Sequence, residues 1–77
     1  MNAPRRKSIQ EVIDQFEDLK STIESLRDEE QEAYDNLPEN LQGSERGEAM
    51  SEAADSLDSA CDSMDEVLEY LTSAIEG

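Results

Sequence analysis

The stretch Asn36-Leu37-Pro38-Glu39-Asn40-Leu41-Gln42-Gly43-Ser44 decides the fold, because it divides a 77-residue chain into two long segments that each carry helical periodicity. Pro38 disfavours helical backbone at Leu37, so a preceding helix should end near Asn36 or Leu37, and the run down to Gly43 has the residues of a turn. Ser44 is the natural N-cap of a second helix, with Glu45 and Glu48 suited to the positive end of its dipole. Pro38 can also open a short helical turn within the connection, while Gly47 weakens the helix that follows.

Upstream of the turn, Ile9, Val12, Phe16, Leu19, Ile23, Leu26, Ala33 and Leu37 alternate spacings of three and four, with Glu30 as the one polar intruder. This heptad seam has Ile9, Phe16, Ile23, Glu30 and Leu37 at a, and Val12, Leu19, Leu26 and Ala33 at d. A capping box, Ser8 with Glu11, opens the helix, and the first seven residues read as a disordered basic tail. Downstream, Met50, Leu57, Met64 and Leu71 occupy d, and Ala54, Cys61, Leu68 and Ile75 occupy a. The expected organisation is a tail over 1–7 and one helical-hairpin domain over 8–77, with helix 8–36, loop 37–44 and helix 45–76.

In an antiparallel hairpin, residues that layer together share a constant index sum. Val12 with Ile75, Phe16 with Leu71, Leu19 with Leu68, Ile23 with Met64 and Leu26 with Cys61 all sum to 87. The same register brings Lys20 near Asp65 and Arg27 near Asp58, pairs that are weak individually but fix orientation. The fold class is therefore all-α, an antiparallel, coiled-coil-like two-helix hairpin. Ala53, Ala60, Val67 and Ala74 fill every g position of the second helix and widen its apolar face, which points to dimerisation into a four-helix bundle. The competing reading is that alanine is a good helix former at exposed sites.

The charge carries the functional clue. Net charge is −15, beyond the magnitude of roughly 2–8 that keeps a small domain soluble, and from Ser8 onward 21 acids face only Lys20, Arg27 and Arg46. Such a field repels nucleic acid and anionic membrane and attracts basic surfaces. After Gly47 there is no cation, yet Glu48, Glu52, Asp55, Asp58, Asp62, Asp65, Glu66 and Glu69 recur at helical spacing. Eight of the carboxylate pairs three or four apart repel by about 0.2–0.5 kcal/mol each, or about 2–4 kcal/mol together before screening.

Enzymatic readings are poor. The chain has no His, the usual base near neutral pH, and its single Cys61 assembles no zinc site and no intrachain disulfide. Paired carboxylates need a pocket to act as acid and base, and a hairpin offers none. No calcium-binding loop is present, so no cofactor or metal is expected. Cys61 reads as a small core residue, and Glu30 either snorkels toward Arg27 or Arg46 or specifies register. Tyr34 and Tyr70 fall on the flanks, as edge packing or as interface anchors. With no secretory signal and no apolar span, a cytoplasmic location is expected.

Two readings of the acidic stripe follow: mimicry of nucleic acid toward a protein with a basic, nucleic-acid-binding surface, or a structural bundle module whose charge only prevents association. Asn-Leu-Pro-Glu-Asn-Leu-Gln at 36–42 and Ser-Glu-Arg-Gly-Glu at 44–48 resemble a recurrent type of short acidic phage and prophage protein. That resemblance implies an accessory gene product, in a class that includes anti-CRISPR and anti-restriction inhibitors occupying DNA-binding surfaces. It carries over no residue roles.

Overall fold

The computed structural model describes residues 1–77 and is all-helical: α1 (Ala3–Asp35), α2 (Glu39–Gln42) and α3 (Glu45–Glu76). The two long helices pack antiparallel into a rod with extents of 58 × 15 × 13 Å. A body this thin encloses almost nothing, and only 4 of 77 residues are buried: Ile13, Gly47, Ala54 and Cys61.

α1 starts six residues earlier than the Ser8 capping box predicts. Asn2 is the N-cap, its Oδ1 accepting the Arg5 N–H at 2.8 Å, and Pro4 sits in the first turn, where its missing N–H costs nothing. Ser8 instead donates its hydroxyl to the Pro4 carbonyl at 3.2 Å, inside the helix. Arg5, Arg6 and Lys7 are therefore helical rather than a disordered tail.

The connection is tighter than an open loop. Pro38 precedes the single turn of α2, and the Gln42 side-chain amide donates to the Leu37 carbonyl at 3.3 Å. Ser44 caps α3 as expected, accepting the Gly47 N–H at 3.2 Å while donating to the Leu41 carbonyl. Gly47 is more than a weak helix former. A Cβ there would lie 2.6 Å from the Leu41 carbonyl oxygen and closer still to that of Gln42, so glycine is what lets the connection fold onto the first turn of α3.

The register agrees with the sequence, since Lys20 pairs with Asp65 and Arg27 with Asp58. The rotation of α1 does not. Its packed face is a and e, with Ile13 5% exposed and Ile9, Phe16, Ile23 and Tyr34 half-buried, whereas the predicted d residues Val12, Leu19 and Leu26 are 48%, 58% and 48% exposed. Lys20 and Arg27 explain the turn. Both occupy e, and to reach acids on α3 they lay their stems along the contact, which swings d outward. On α3 the small a residues Ala54 and Cys61 are each 3% exposed and allow close approach. Glu30 is half-buried and forms no ion pair, so neither Arg27 nor Arg46 receives it.

Candidate functional site

The carboxylates of α3 line one flank of the rod. Glu48, Asp55, Asp62 and Glu69 repeat at b, with Glu52 and Glu66 beside them at f, and all six are exposed and free of ion pairs. Asp58 and Asp65, at e, differ from these. Asp58 accepts from Arg27 at 2.9 Å and Asp65 accepts from Lys20, so their charges are partly compensated within the hairpin.

α1 adds residues to this flank that periodicity on α3 alone does not reveal. Arg27 also bonds Asp28 at 3.1 Å, and a shallow groove of about 220 Å³ lies between the helices, lined by Arg27, Asp28, Gln31, Ala54, Asp55 and Asp58. Glu24 lies close enough to Lys20 to act on its charge. The Asp65 hydrogen bond holds the Lys20 ammonium above its usual pKa, and the Asp28 and Asp58 hydrogen bonds do the same for Arg27. The signal for Asp28 and Glu24 was present in sequence. Asp28 directly follows Arg27, and Glu24 lies four residues after Lys20 and three before Arg27, the two cations already paired to α3.

The flank is a distributed field rather than a binding cavity. The acids follow the helix axis, and no three of them converge to hold a metal ion. No buried polar side chain lacks a partner, and Cys61 is a buried free thiol. No helix is long and apolar enough to cross a membrane.

The opposite flank is apolar. Order around a heptad places d of α1 and g of α3 on the side away from the e–e ion pairs. There Val12, Leu19 and Leu26 stand beside Ala53, Ala60, Val67 and Ala74, with Val67 40% exposed. Tyr70 is 77% exposed on the outer surface of α3 and packs at no edge, while Tyr34 is half-buried.

No protein family, curated protein or solved structure matches the chain.

Proposed function

We propose that this chain is a non-enzymatic, acidic interaction protein that blocks a basic, nucleic-acid-binding surface by charge mimicry, as phage-borne anti-CRISPR and other anti-defence inhibitors do, and that it acts as a homodimer. One observation carries the reading: six unpaired carboxylates repeat along a single exposed flank of α3 with no cation on that helix after Arg46. Two copies at −15 along a 58 Å rod average about one net charge per ~1.9 Å, against one per ~1.7 Å in duplex DNA. A binding site shaped for a phosphate backbone meets a comparable field. The proposed recognition residues are Glu48, Glu52, Asp55, Asp62, Glu66 and Glu69, with Asp58 and Asp65 contributing through pairs that a stronger basic partner can recruit.

The test is capture of partners from a bacterial lysate on immobilised protein, followed by challenge with duplex DNA. Release of the captured protein by DNA, and weakening of capture by salt, are the expected results. The open apolar flank favours a second reading, a structural bundle module. Capture that persists in high salt and ignores DNA would select it.

A further inference from the structure

We propose that the apolar flank is covered by a second copy of this chain docked antiparallel, so that α1 lies along the α1 of its partner and its basic first turns meet the acidic loop end of that partner. The inference rests on the dimer of the proposed function and adds the surface and its direction.

Size is the first support. Val12, Leu19, Leu26 and Ala33 of α1 stand beside Ala74, Val67, Ala60 and Ala53 of α3, each pair sharing an index sum of 86. The face is therefore about 32 Å long and about 20 Å wide, on the order of 600–700 Å². That is close to the roughly 800 Å² per partner of a stable interface. It is also continuous with the half-buried layer of Phe16, Ile23, Leu57 and Met64, which a second hairpin would complete.

Charge selects the occupant and its direction. Arg5, Arg6 and Lys7 lie in the first two turns of α1, while Glu29, Glu30, Glu32 and Asp35 crowd its end, the reverse of what a helix dipole favours at both termini. None of the three cations forms an ion pair within the hairpin. A two-fold axis crossing the face near Thr22 brings Arg5, Arg6 and Lys7 beside Glu32, Asp35 and Glu39 of the partner subunit and sets the dipoles of the two α1 helices antiparallel. A parallel pairing would gather the cations of both copies at one end and the loop acids of both at the other. The antiparallel arrangement also leaves both acidic flanks open, because they lie opposite the apolar face.

Sedimentation equilibrium and electron-spin distance measurements test this together. The full chain carries one spin label through Lys7→Cys in a Cys61→Ala background, with helicity checked against the parent. An antiparallel dimer places the two labels roughly 45–50 Å apart, and a parallel one roughly 10–20 Å. The long distance is expected. Leu19→Glu and Leu19→Lys, of opposite charge at a site already exposed, should each weaken the dimer at least tenfold while the hairpin stays helical. The short distance overturns the direction but leaves the dimer standing. A dimer that tolerates both Leu19 variants overturns the surface, and a monomeric parent removes the dimer itself, without touching the DNA-competition result.

Discussion

Arg27 reaches across the hairpin to Asp58 at 2.9 Å and bonds its own neighbour Asp28 at 3.1 Å, so a residue from the flank, not the seam, sets how α1 is turned against α3. Lys20 does the same one heptad earlier with Asp65. Pulling e inward carries Val12, Leu19 and Leu26 outward onto the apolar flank. One pair of heptad positions thus links the acidic side of the rod to its unpaired apolar side.

Reversing that pair should therefore show in stability. Arg27→Glu should lower the melting temperature, and adding Asp58→Arg should recover most of the loss. A double variant no more stable than the single would mean that the pair does not set the rotation.

Lys20 makes a pH prediction of definite sign. Its folded pKa is raised above the ordinary value of 10.5 by Asp65, so its contribution is complete below pH 10.5 and is lost as pH rises through the folded pKa. Lys20→Arg should hold its charge there. Thermal melts between pH 9 and about 12 should show the parent falling away from Lys20→Arg only above about pH 10.5.

Gly47 and Gly43 should respond oppositely to alanine. Helix propensity alone favours Gly47→Ala by about 1 kcal/mol. The clash with the Leu41 and Gln42 carbonyls should outweigh this and leave a net loss of about 1–3 kcal/mol in denaturant unfolding. A Cβ at Gly43 meets nothing within 4 Å, so Gly43→Ala should be neutral or stabilise by about 0.4–1 kcal/mol.

The start of α1 is tested at its cap. Asn2→Ala removes the acceptor of the Arg5 N–H and should cost about 1 kcal/mol locally, speeding amide exchange at Arg5 and Arg6. Ser8→Ala should leave that exchange unchanged. The opposite pattern would restore the capping box at Ser8.

The division into two helices, the turn, the Ser44 cap and the register were legible in the sequence, because each follows from local chemistry or from matching two periodicities. The rotation of α1 was not. Val12 and Ile13 are adjacent apolar residues, and periodicity alone favours the one that fits the d spacing, whereas the reach of Lys20 and Arg27 selects the other. The cap at Asn2 is masked for a related reason: Ser8 with Glu11 is the stronger local signal, but Pro4 is welcome in a first turn and the helix extends back to the next acceptor. On the acidic flank, the column on α3 could be read directly. The pairing of Asp58 with Arg27 and of Asp65 with Lys20 followed from the register, whereas the groove that Asp28, Gln31 and Asp55 line between the helices required the geometry.

The acidic column is the heart of the proposed function, and neutralising it isolates charge from fold. Asp55→Asn, Asp62→Asn and Glu69→Gln together change only exposed b positions and should raise the melting temperature slightly by removing like-charge neighbours. The decisive measurement is a binding titration of the parent and this triple variant against the protein captured from lysate, at two salt concentrations. Mimicry of a phosphate backbone predicts at least tenfold weaker binding and a shallower salt dependence in the fully helical variant. Unchanged affinity and unchanged salt slope would contradict it.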